Sequence, residues 1–121
     1  MNRALLLSLL LTLACNRAEE PPAPQAPAGN AARGQQLIGQ YACNVCHIVP
    51  GTQDPQGRLG PSLAGVASRP AISNGVVRNT PENLRHFIQS PASLNPQSSM
   101  PPIPLPEADA QDITAFLLTL R

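Results

Sequence analysis

Three side chains able to act together fall in one stretch of this 121-residue chain, YACNVCHIVPG at positions 41 to 51: Cys43, Cys46 and His47. Two thiols separated by two residues, with an imidazole directly after the second, suit three chemistries. They could hold a zinc ion, cycle as a reversible disulfide, or bond to the vinyl groups of a haem while the imidazole binds its iron. Outside the stretch stand one further histidine, His86, one further cysteine, Cys15, and two methionines, Met1 and Met100.

Zinc takes four ligands, usually from Cys and His. Here the set would be Cys43, Cys46, His47 and His86. His47 directly follows Cys46, so the two strain to reach one tetrahedral site, and His86 has no companion ligand three to five residues on. A thioredoxin-like dithiol wants strands alternating with helices around the C-x-x-C, and the chain has no convincing β-run. Haem attachment needs two thiols with a histidine beside them, and C-x-x-C-H supplies all three at the required spacing. The motif reads as a haem site.

The elements that must position it are short. Asn30 predicts the N-cap of a helix running to about Ala42, with Leu37, Ile38 and Tyr41 on one apolar face and the motif at its C-terminal end. From Pro50 to Pro70 the density of Gly and Pro predicts loop, with at most a helical turn near Ser62 to Ala67. Thr80 as N-cap, Pro81 at the first helical position and Glu82 beside the positive helix end start a second long helix, which Pro91 ends. The segment NPQSSMPPIPLPE holds five prolines and can be neither helix nor central strand. A last helix runs from about Glu107 to Leu120, and Ile113, Phe116, Leu117 and Leu120 form its inward stripe. That is more loop than an ordinary domain carries, and such loops make sense wrapped around a ligand.

Composition points the same way. The folded part, about residues 30 to 121, is near the lower size at which one core suffices, yet the chain has one Tyr, two Phe and no Trp. A buried haem would fill the middle. Eight Arg against seven acids, with no Lys, give a net charge of +1 at pH 7. There is no basic face for nucleic acid and no internal repeat.

Residues 1–14 have the form of a secretory signal: a short polar start with Arg3, then an apolar run from Ala4 to Ala14. That run is too short to cross a bilayer, which takes about 20 residues. Ala14-Cys15 resembles the junction at which bacterial lipoprotein signals are cut, although Thr12 stands where Leu is usual. The resemblance implies that Cys15 becomes the N-terminus and carries the lipid, and several acyl chains would anchor it stably. Residues 15–29 follow as a linker, in which Pro21, Pro22, Pro24 and Pro27 favour an extended, semi-rigid spacer.

From about Arg33 to its end the chain resembles the class I c-type cytochromes. The family's G-x-x-L-[FY]…C-x-x-C-H is present as Gly34, Leu37, Ile38, Cys43, Cys46 and His47, with Ile38 in place of the aromatic. Its G-P-x-L is Gly60, Pro61 and Leu63. NTPENLRHFI, SSMPP and DAQDITAFLLTL are similar to the cytochrome domain fused to subunit II of some haem–copper oxidases, with His86 where Trp is common. The resemblance implies an all-α fold: three to five short helices with long proline-rich loops around one haem c, covalently held by Cys43 and Cys46. It also implies His47 and Met100 as axial ligands, and the Pro61 carbonyl as acceptor for the other N–H of His47. By the same resemblance Leu63 packs on the His47 face, and Arg69, with Arg78 as second candidate, meets the haem propionates. Gly34 would lie where the first helix crosses the last near Phe116.

The residues argue for Met100 on their own account as well. Once Met1 leaves with the signal it is the only methionine, and between Ser98-Ser99 and Pro101-Pro102 it has little core to fill. A thioether ligand raises the reduction potential. The rival is His86, which would give a bis-histidine site of lower potential, against its plain reading as a partly exposed helix residue.

With both axial positions filled by protein, the iron changes charge by one with little rearrangement, which suits an electron carrier and not an enzyme. The expectation is a lipid-tethered, single-haem protein in the bacterial periplasm or on the outer face of the cytoplasmic membrane. It would pass electrons between respiratory-chain partners; a terminal oxidase as partner is implied by resemblance alone. Near-neutral charge makes docking depend on apolar contact around the haem edge and only weakly on salt. Two alternatives stand beside this. If Met100 does not bind, an open haem could take up gases or reduce peroxide; and a haem subunit of a dehydrogenase or reductase would have the same sequence features.

Overall fold

Helix α1 (Ala31–Gln40) begins where Asn30 predicts, the Asn30 side chain accepting the Arg33 backbone N–H at 3.0 Å. In the computed structural model, residues 28–53 and 56–121 are described. The signal at 1–14, Cys15 and the proline-rich spacer up to residue 27 lie outside the described residues. Helix α1 stops two residues short of Ala42, because Ala42 takes a left-handed conformation (φ 55°). That residue swings the chain into a separate one-turn helix, α2 (Cys43–Cys46), and so turns the thiols out of the line of α1.

The main packing partner of α1 is the last helix, α5 (Glu107–Leu117). Gly34 is what lets them cross closely. A Cβ there would run into the Asp112 carbonyl and stand 2.9 Å from Phe116 Cβ. Leu37 and Ile38 on one side meet Ile113, Phe116 and Leu117 on the other, all buried. A polar clamp closes the edge of this crossing. The Arg33 guanidinium pairs with both Asp109 and Asp112, the Asn30 N–H donates to Asp112 at 2.6 Å, and the Tyr41 hydroxyl donates to Asp109 at 2.6 Å. Helix α5 ends before Leu120, which was expected to close the apolar stripe and instead sits half-buried beyond the helix.

Helix α3 (Pro81–Gln89) is capped by Thr80, whose hydroxyl accepts the Asn83 N–H at 3.1 Å. Pro91 does not simply end it. The helix stops at Gln89, and Pro91 opens a one-turn helix, α4 (Pro91–Leu94), at the position where a missing N–H costs nothing. Between Pro50 and Pro70 the chain is loop, with a 3-10 turn at Val66–Ser68. The sequence shows no convincing β-run, whereas the structure has a small antiparallel hairpin, β1 (Ala71–Ile72) and β2 (Val77–Arg78), with Ile72 opposite Val77. Two-residue strands are too short for alternation to register in a sequence. The turn between them puts Ser73 (φ 51°) and Asn74 (φ 56°) in the left-handed region.

Candidate haem site

The C-x-x-C-H residues occupy α2 and the position just after it. Cys43 and Cys46 start and finish the single turn of α2, which puts them three apart on one side of it. Both are half-buried free thiols. His47 is the first extended residue (φ −114°, ψ 148°), and the chain turns its ring toward the following loop. There His47 Nδ1 lies 2.7 Å from the Pro61 carbonyl. A carbonyl can only accept, so Nδ1 carries the proton and Nε2 keeps its lone pair for a metal.

A seam of hydrogen bonds holds that loop in place. The N–H of Gly57 donates to Asn44 O, that of Gly60 to Cys46 O and that of Leu63 to Ile48 O, each at 2.8 Å. Gly60 lies flat against the imidazole: a Cβ there would come within 2.6 Å of His47 Nδ1. Asn44, buried inside α2, donates to Gln53 O at 2.9 Å, and the Gln56 side chain accepts the Val49 N–H at 2.7 Å.

Met100 lies in the extended segment after α4, half-buried against the core. Cys43, Leu63, Leu94 and Ile103 share that position on the core's margin. Such partial burial suits side chains that close over a large planar apolar group, so the residues present fit a haem. His86 is placed differently. It is exposed on α3, and its Nε2 pairs with Ser93 Oγ at 3.0 Å. Among the described residues no three His, Cys, Asp or Glu side chains gather as a metal cage would need. Burial above all, with Cys46 adding to it, pushes the Cys43 thiol up, opposite to the shift that makes a reactive dithiol.

Arg69 has work of its own. One of its terminal nitrogens donates to Ser62 O at 2.6 Å and Ala64 O at 2.8 Å, closing the loop that carries Pro61 and Leu63. Its other nitrogens remain available to a carboxylate. Arg78 is exposed at the end of β2. Asn79, which the sequence reading passed over, ties the same region by donating to Val66 O at 2.8 Å and Arg69 O at 2.9 Å. Its Oδ1 is buried and unpaired among the described residues. Neither Asn44 nor Asn79 carries a sequence signal beyond standing in a loop or beside a motif. The Arg33 clamp could have been found from two acids three apart opposite the chain's one arginine in the first helix.

A family model for cytochrome c matches residues 31–121. Cytochrome c-552 of Bradyrhizobium diazoefficiens is 34% identical over 94 residues, 78% of either chain. Among solved structures, cytochrome c2 of Paracoccus denitrificans aligns with a TM-score of 0.57 at 22% identity, covering 75% of this chain and 95% of that one. A variant of ferric cytochrome c-550 from Paracoccus versutus aligns with a TM-score of 0.54 at 22% identity, covering 76% and 96%. The two structures share the fold. Together with the C-x-x-C-H turn, the family match over three quarters of the sequence places this chain in the cytochrome c family, as a class I electron carrier with a single haem c held covalently by Cys43 and Cys46.

Proposed function

We propose that this cytochrome is tethered to a membrane by a lipid on Cys15 and passes single electrons between respiratory-chain proteins, with a terminal oxidase as acceptor. His47 and Met100 would hold its iron. The observation that carries the reading is the His47–Pro61 hydrogen bond of 2.7 Å, which leaves the Nε2 lone pair free for iron; Met100, half-buried at the core's margin, would supply the second ligand. When bound, the haem supplies a one-electron couple; the chain's residues bind it, orient the imidazole and exclude water. Arg69 braces Ser62 and Ala64 with one nitrogen, and its others would serve a propionate.

Docking rests on the surface beside α2. Val45 is 50% exposed and Leu59 is 89% exposed, and the loop carrying Leu59 is sewn to Cys46 through Gly60. Two large apolar side chains left in water next to the haem attachment turn support contact with an apolar patch on a partner. No helix among the described residues is long and apolar enough to cross a membrane. The tether is read from Cys15 and the proline-rich spacer that follows it.

The decisive measurement is the absorption spectrum of the oxidised protein made in cells that attach haem c. The weak far-red band of a sulfur–iron(III) bond should be present and should vanish in Met100→Ala. A low-spin spectrum without it in the wild type would move the ligand to His86, and a high-spin one would open the iron to gas or peroxide chemistry. In the same cells Cys15→Ser should release the protein from the membrane fraction; retention there would remove the lipid tether from the reading.

A further inference from the structure

The hairpin is unexplained by the haem-attachment side of the molecule, and its turn holds two non-glycine residues in left-handed conformations. Backbone cost of that kind persists where surrounding contacts impose it. One such contact leads away from the turn. Asn95, 9% exposed, donates from Nδ2 to Ser73 Oγ at 2.9 Å, across 22 residues of sequence.

From Asn95 a chain of hydrogen bonds runs on to Met100. Asn95 Oδ1 accepts the Gln97 N–H at 3.1 Å, and its backbone carbonyl accepts the Ser98 N–H at 2.9 Å. The Ser98 hydroxyl in turn accepts the Met100 N–H at 3.3 Å. Asn95 thus fastens the start of the segment to the hairpin and shapes it up to the methionine. At the far end Leu105 is buried in the core, donates its N–H to Ile103 O at 2.7 Å and accepts from Gln89 Nε2 at 3.3 Å. Pro101 and Pro102 follow Met100 directly, and a proline donates no backbone hydrogen bond. The backbone of Met100 is therefore fixed from the Asn95 side.

We propose that Asn95, anchored on Ser73, is a positioning residue for Met100 and sets how firmly the thioether stays on the iron. This rests on the reading of Met100 as the sixth ligand. Ser73 is the informative site. Replacing it by glycine removes the acceptor hydroxyl while relieving the left-handed strain at φ 51°. The change thereby loosens the methionine segment while offsetting part of the cost to the fold.

The test is the affinity of added imidazole, which displaces the thioether, for the oxidised haem protein in wild type, Ser73→Gly, Asn95→Ala, the double variant and Thr80→Ala. Ser73→Gly and Asn95→Ala should each bind imidazole about tenfold more tightly, the size of one buried hydrogen bond. The double variant should gain no more than Asn95→Ala alone, because that change already removes the contact to Ser73 together with the one to the Gln97 N–H. Urea unfolding of Ser73→Gly should fall less than that of Asn95→Ala, because the relieved left-handed backbone offsets part of the lost hydrogen bond. Thr80→Ala, which weakens a helix cap away from the methionine segment, should leave imidazole affinity unchanged. A far-red band in the wild type with unchanged imidazole affinity in Ser73→Gly overturns the positioning role and leaves Met100 as ligand. An equal gain in Thr80→Ala does so too, by making the effect one of general stability. Absence of the band in the wild type overturns the ligand reading and the positioning role together. If Asn95→Ala does not fold, Ser73→Gly decides alone.

Discussion

His47 is gripped from two sides. The Pro61 carbonyl takes its Nδ1 proton, and Gly60 lies so near the ring that no side chain fits between. Gly60→Ala must therefore push either the loop or the imidazole, and overpacking of this kind costs about 1–3 kcal/mol. The expected outcome is a lower urea midpoint of the haem-loaded protein together with a lowered reduction potential. A variant with both quantities unchanged would mean that the loop gives way without disturbing the ring. The neighbouring Leu59 carries a different expectation, since it faces water. Leu59→Ser should leave the potential and the far-red band as they are and slow electron transfer to the partner about fivefold, on the order of 1 kcal/mol for a well-placed apolar contact. Stopped-flow kinetics against the purified partner would show it.

At the scale of elements, the α1–α5 crossing ties fold to pH. Asp112 is held below the ordinary carboxylate value of 3.8 by the Asn30 N–H first and by Arg33 second. Asp109 is lowered by the Tyr41 hydroxyl and then by Arg33. Groups lowered in the folded state contribute stability that is full above their unfolded value and lost as the pH falls through the folded one. Asp112→Asn should accordingly unfold at lower urea than wild type at pH 7, with the gap narrowing once the pH drops below 3.8. A constant gap across that range would show that the carboxylate charge is not what the clamp uses. Helix starts were legible because Asn30 and Thr80 announce themselves as caps, and the apolar stripe of α5 was legible through Ile113, Phe116 and Leu117. Helix ends were not. A left-handed Ala42 looks like any alanine, and Pro91 serves equally to stop one helix or to open the next. The C-x-x-C-H turn was legible from its spacing, and the Pro61 acceptor from the family motif alone. Asn79, Asn95 and the hairpin were not, since their importance comes from partners 10 to 22 residues away that no local pattern encodes.

For the molecule as a whole, a chain with one Tyr, two Phe and no Trp has few large side chains to close a core. Leu63, Leu94, Met100 and Ile103 lie only half-buried on its margin. A form that never receives haem, such as the Cys43→Ser, Cys46→Ser double variant, should lose its near-ultraviolet dichroism and unfold without cooperativity, as proteins do when their bound group supplies the packing. A sharp unfolding transition in that variant would show that the protein core is sufficient alone. The seam between residues 44–48 and 57–63 also imposes an order in time. Once Gly57, Gly60 and Leu63 are bonded across it, Cys43 and Cys46 are both half-covered and the Cys43 thiol is disfavoured as a thiolate. A nucleophilic sulfur is needed only before that closure. Attachment is favoured while the seam is still open, and because the thioether bonds are covalent, closing the seam afterwards packs the loop around a group already held.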